Sequence, residues 1–83
     1  MATKKMIKFQ PLHEIATIIK NDWKDVNFGA KPYLNAMATL DKISDSYGSD
    51  SGRSIVAYFL SNASTWRGDV ARETKKTLNT MLR

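Results

Sequence analysis

Eighty-three residues with 13 Lys and Arg against 8 Asp and Glu, one His, no Cys and a formal net charge of +5 describe one small domain. A chain of this length buries about 60–65% of the surface its unfolded form exposes, enough for one core and too little for a cleft between lobes. The lack of cysteine excludes a disulfide framework, a thiolate zinc site and a thiol nucleophile, and a single His leaves few catalytic arrangements.

In chain order, residues 1–10 carry Lys4, Lys5 and Lys8 without an acid and read as a basic N-terminal arm, followed by a helical domain over residues 11–83. Lys8, Gln10, His13 and Glu14 interrupt any signal-peptide core. The longest apolar runs stop far short of the ~20 residues a membrane span needs. The expected location is therefore the cytoplasm, with no membrane partner. Pro11 suits a first helical turn, and Leu12, Ile15, Ala16, Ile19, Trp23 and Val26 recur at three- and four-residue steps, which predicts helix one over about 11–25. Lys31-Pro32 biases the chain away from helix and marks a connection. Helix two then opens at Pro32, with Tyr33, Met37, Leu40, Ile43 and Tyr47 as its buried stripe and Asp41, Lys42, Asp45 and Ser46 toward water.

The segment from Tyr47 to Gly52 is the sharpest break. Gly48 can adopt the left-handed conformation that closes a helix, and Ser49, Asp50 or Ser51 can cap the next one. Helix three has Ile55, Val56, Ala57, Tyr58, Phe59, Leu60 and Ala63 around more than half its circumference, the pattern of the most enclosed helix of a bundle. Helix four starts near 65 or 69 and runs to 82 on Val70, Ala71, Thr74, Leu78, Met81 and Leu82, with Gly68 marking a turn or a close contact at its start. The fold class is all-α, a single bundle of about four helices.

The charge is unevenly placed. Residues 1–10 and 67–83 each carry +3, and the 56 between them carry −1. On a helical wheel Arg72, Lys76 and Arg83 project together, opposite Val70, Thr74, Leu78 and Met81, with Lys75 at the edge of that face. With Lys4, Lys5 and Lys8 they form a candidate partner-binding patch for phosphates or an acidic protein face. A solvated helix end whose cations complement the helix dipole accounts for the same stripe. No aromatic is interleaved with these cations, so no base-stacking platform is visible.

Few residues offer site chemistry. His13 has only Glu14 beside it, and Asp41 and Asp45 share a helical spacing with nothing apolar around both; neither pattern points to acid–base or metal chemistry. No cofactor and no catalytic residue is expected. In Trp66-Arg67-Gly68 the wheel places Arg67 with Val70, Thr74 and Leu78, where a guanidinium needs a partner. Asp50 is that candidate partner, with Trp66 covering the pair. The other reading of Trp66 and Arg67 is an exposed binding hot spot.

At Tyr47-Gly48-Ser49-Asp50, Tyr58-Phe59-Leu60-Ser61-Asn62-Ala63 and Trp66-Arg67-Gly68, followed by Ala71 and Lys75, and at Pro32-Tyr33-Leu34-Asn35-Ala36-Met37, the chain resembles short helical proteins of phages and mobile elements of Gram-positive bacteria. The likeness spans roughly residues 12–82 and assigns no residue roles. It implies a stoichiometric, non-enzymatic binder of a bacterial host or defence complex, a protein or a ribonucleoprotein, as anti-CRISPR proteins are. The alternative is a basic DNA- or RNA-binding accessory protein. A homodimer is a further possibility for so small a core.

Overall fold

The computed structural model describes residues 10–83. Helix α1 spans Leu12–Asp22, α2 Lys31–Met37, α3 Gly52–Ser61 and α4 Asp69–Leu82. A two-stranded ribbon, β1 (Ser46–Tyr47) and β2 (Asp50–Ser51), lies before α3. The helices form a ring in which α1 and α3 each pack on α2 and α4. Arg53 at the start of α3 donates to the Leu82 carbonyl at the end of α4, so these two run antiparallel and a cation sits at the negative end of α4. The expected four-helix domain is present, with the ribbon as an addition to it. The basic arm, with Lys4, Lys5 and Lys8, lies outside the described residues.

Leu12, Ile15, Ala16 and Ile19 face inward along α1 as their spacing requires. The helix is shorter than expected because Trp23 leaves helical geometry (φ −91°, ψ 89°), which turns its ring into the core. Val26, beyond it, still packs on the core from the loop. The start of α1 is closed from elsewhere in the chain: Leu12 N–H donates to the Asp41 carbonyl (2.9 Å) and His13 N–H to the Leu40 carbonyl (2.8 Å). His13 Nε2 lies 3.1 Å from Asp41 Oδ1 at the same joint. Two of the donors that every helix start leaves unpaired are thereby satisfied.

Helix two is where the expectation departs most. It ends at Met37, and Ala38 and Thr39 turn the chain away, with Thr39 Oγ1 donating to the Ala36 carbonyl. The spacing that carried the helix on to Tyr47 is real for Leu40 and Ile43, which reach the core from a loop. Tyr47 lies in β1 and is exposed. Within α2 it is Leu34, Ala36 and Met37 that are buried, and Tyr33 sits half-covered at the edge. Asp45 holds the loop together, its Oδ2 accepting from the N–H groups of Asp41 (3.0 Å) and Lys42 (2.9 Å).

Gly48 has the left-handed backbone anticipated for it (φ +63°), but at the first central position of a two-residue hairpin turn rather than at a helix end. A glycine there is what a tight type II′ turn uses. Ser51 caps α3, its Oγ accepting from Ser54 N–H at 3.1 Å. Gly52 is placed by contact: a Cβ on it would stand 2.8 Å from the Ile43 carbonyl oxygen and 2.9 Å from that of Lys42. In α3, Ile55, Val56 and Phe59 are buried, whereas Tyr58 is exposed. Like α1, α3 has two helix neighbours, so it is not the single central helix its composition implied. Helix α4 starts at Asp69 after Gly68 (φ +112°), a conformation L side chains rarely adopt, which makes Gly68 a turn residue. Ala71 and Leu78 form its buried seam, and Val70 is exposed instead.

Candidate functional site

Two groups of aromatic residues organise the molecule. The inner one joins α1, α3 and the loop before α4. Trp23 and Trp66 stack with ring centroids 5.7 Å apart and planes within 10°, and Phe59 meets both edge-on at 6.2 and 6.4 Å. Trp66 is 2% exposed, and its Nε1–H donates to Asp22 Oδ2 at 2.8 Å. Aromatic pairs prefer these offset and edge geometries, and a buried indole needs such an acceptor. Lys75 completes the group. Its Nζ donates to the Trp66 carbonyl at 2.7 Å and stands 5.9 Å from the centre of the Trp66 ring. Partial burial, and then the Arg67 charge nearby, hold the Lys75 pKa below the ordinary lysine value.

This geometry replaces the expected Arg67–Asp50 pair. Arg67 is exposed, among the described residues it has no ion-pair partner, and Asp50 sits exposed in the ribbon. The wheel placed Arg67 inward by extending α4 back through it, whereas the helix begins two residues later. Trp66 is buried and bonded to Asp22 and Lys75 rather than displayed at the surface. The basic stripe is also thinner than the wheel made it. Lys75 is engaged with Trp66, and Arg72 is exposed but pairs with Asp69 one turn back, which leaves Lys76 in α4 and Arg83 at its end as exposed cations without an ion pair among the described residues.

The outer aromatic group is Phe28, Tyr33 and Tyr58. Phe28 is 88% exposed, Tyr58 52%. Tyr33 of α2 and Tyr58 of α3 lie side by side with centroids 5.4 Å apart. Phe28 sits in a loop that is tied down on every side through Asn27. The Asn27 carbonyl accepts from Ala30 N–H (2.8 Å) and Lys31 N–H (3.2 Å), Oδ1 accepts from Gly29 N–H (3.2 Å), and Nδ2 donates to the Asn62 carbonyl at the end of α3 (3.1 Å). Asn62 in turn donates from Nδ2 to the Tyr58 carbonyl one turn earlier, at 2.9 Å. A Cβ on Gly29 would come within 2.8 Å of Asn62 Oδ1, so loop and helix are in close contact. Phe28 is thus held out near the end of α3, its loop tied to Asn62, while Tyr33 and Tyr58 pair between α2 and α3. The sequence does carry the signal for this loop. Asn followed two residues later by Gly is an Asx-turn pattern, and Pro32 then opens the helix.

Elsewhere the surface offers less. A small cavity of about 160 Å³ lies between α1 and α4, lined by Gln10, Ile15, Ile18, Glu73, Thr74 and Thr77. Asp41 and Asp45 are occupied with His13 and with backbone N–H groups, and no group of three potential metal ligands exists among the described residues. No described helix is long and apolar enough to cross a membrane. No family model, curated protein or solved structure matches the chain.

Proposed function

We propose that this chain is a non-enzymatic interaction protein that docks on a bacterial protein or ribonucleoprotein complex through the outer aromatics Phe28, Tyr58 and Tyr33. The observation that carries the reading is the fixed display of Phe28, with an 88% exposed ring on a loop whose hydrogen bonds converge on Asn27. Burying a phenylalanine ring in a partner's pocket is worth about 1.5–3 kcal/mol. A loop already ordered adds no further entropy cost on binding. The loop neighbours of Phe28, Asn27 and Gly29, in contact with Asn62, are small polar groups of the kind that protein-binding surfaces combine with aromatics. The resemblance to small proteins of phages and mobile elements fits a stoichiometric binder that blocks or modulates its target.

The test is affinity capture from a Gram-positive lysate with the wild-type chain and with Phe28→Ser, alongside titrations against DNA and RNA at low and near-physiological salt. Proteins retained by the wild type and released by Phe28→Ser are the expected result. Equal capture by both would sink the reading. Nucleic-acid binding that survives near-physiological salt and weakens in Lys76→Gln or Arg83→Gln would move the function to the basic residues.

A further inference from the structure

The cavity between α1 and α4 begins where the described chain begins. Its lining runs from Gln10 past Ile15 and Ile18 of α1 to Glu73, Thr74 and Thr77 of α4, and its volume is about 160 Å³. Ile18, Thr74 and Thr77 are half-buried, so the seam between the two helices is left partly open to solvent. Glu73 is the single charged residue of the lining and has no ion-pair partner among the described residues. Pro11 anchors the start of α1, its carbonyl accepting from Glu14 N–H (3.0 Å) and Ile15 N–H (3.2 Å), and it biases Gln10 before it to extended backbone. We infer that the chain's own N-terminal segment covers this cavity, with the Phe9 ring seated over Ile15 and Ile18 and Lys8 reaching Glu73 at the rim.

Position, size and charge select this occupant. Phe9 is bonded to Gln10, so its Cα stands about 3.8 Å from that of a residue already in the lining. Seating its ring orders only Phe9 and Lys8, whereas a molecule from outside also loses its translational and rotational freedom. Phe9 is the one aromatic residue of the segment 1–9, and an apolar cavity of about 150 Å³ is of a size to hold a benzene ring. Every ionisable side chain in that segment is a lysine, Lys4, Lys5 and Lys8, and the cavity offers them one carboxylate. An exposed ion pair of this kind adds little strength, so the ring carries the contact and Lys8 sets the direction in which the segment leaves. The contact is separate from the docking role of Phe28. It ties the basic N-terminus to the helix that carries the C-terminal cations.

Nuclear Overhauser spectra of the full chain read the contact directly: the Phe9 ring protons are expected to show cross-peaks to methyl groups of Ile15, Ile18 or Thr74. Urea denaturation measures its strength. Phe9→Ser is expected to lower the folding equilibrium constant about tenfold, one step of about 1.4 kcal/mol. In an Ile18→Ser background, where the seat is gone, the same substitution should lower it no more than about twofold. Thr77→Lys, which sets a cation at the mouth of the cavity against Lys8, is a second background that holds if Ile18→Ser does not fold. Ring protons without these cross-peaks, a Phe9→Ser chain as stable as the wild type, or a loss of equal size in every background overturns the inference. The first two outcomes leave the cavity to a molecule from outside, and the third puts Phe9 against another part of the domain. Phe28→Ser should leave all of these readings unchanged, so the two contacts are tested independently.

Discussion

Trp23, Phe59 and Trp66 on one side and Phe28, Tyr33 and Tyr58 on the other are the same kinds of residue put to opposite uses. Tyr58 and Phe59 are chain neighbours on one helix, yet Phe59 is fully buried and Tyr58 half exposed. In the inner group the Trp66 polar atoms are matched, Nε1 to Asp22 and the carbonyl to Lys75, and the rings close three chain segments into one unit. In the outer group the hydrogen bonds fix the backbone and leave the rings free. The difference teaches that rigidity and burial are separable: Asn27 orders a loop without covering its apolar side chain. Small domains have little core to spare, and a large aromatic left outside is a docking resource where its loop is already ordered.

The comparison breaks first at Trp66. Trp66→Ala removes a buried ring, its stacking on Trp23 and its bond to Asp22, and the expected loss of about 3–5 kcal/mol would consume much of a small domain's stability; urea denaturation followed by far-UV circular dichroism measures it. Gly52→Ala comes next, since its Cβ meets two backbone carbonyls that cannot swing aside. A cost of about 1–3 kcal/mol is expected in the same assay, and an unchanged midpoint would mean that the 41–45 loop is not held as described. Asn27→Ala sharpens the outer half, because it keeps Phe28 and removes the two side-chain bonds to Asn62 and Gly29 that help aim it. Weaker Phe28-dependent association at nearly full stability is expected, read by affinity capture and thermal melts. Phe28→Ser itself should change stability by no more than about 0.5 kcal/mol, in contrast to Trp66→Ala.

The smallest effects are the pH-dependent ones. Backbone N–H groups of Lys42 and Asp41 hold the Asp45 carboxyl below the ordinary 3.8. Its folded-state value is depressed, so its contribution is fully present above about 3.8 and drains as pH falls below that. Denaturation across the acid range should show this limb in the wild type and not in Asp45→Asn. Lys75 has the opposite sign. Its folded value lies below the ordinary 10.5, so just under 10.5 the unfolded chain binds more protons and stability rises with pH, a rise that Lys75→Met should abolish.

The parts of the fold written locally were legible in the chain. A cap among Ser49, Asp50 and Ser51, a turn or close contact at Gly68, and Ile55, Val56 and Phe59 within the apolar set of helix three follow from rules that act within one or two turns, and the structure selects Ser51 and the turn. Helix two was read too long because Met37, Leu40 and Ile43 keep helical spacing while the chain between them turns. Contacts with the rest of the core set their burial, and a periodicity count cannot distinguish the two cases. Arg67 was misplaced for a related reason, since a wheel extended past Gly68 assigns a direction to a residue that is not helical. The candidate site was the least legible part. Composition does not say which aromatic is left outside, and the Lys75–Trp66 bond depends on a loop returning over α4.

The pairing of the Leu12 and His13 N–H groups with the Asp41 and Leu40 carbonyls, respectively, has a consequence for the order of assembly. The first turn of α1 has no local cap, Pro11 offering no side-chain acceptor, so that turn is completed only when the chain beyond α2 has come back to it. Nascent α1 should fray at its start until the loop docks. Its Leu12 and His13 amides should then exchange with solvent at the rate at which that loop opens, reporting from the beginning of the domain on an event in its middle.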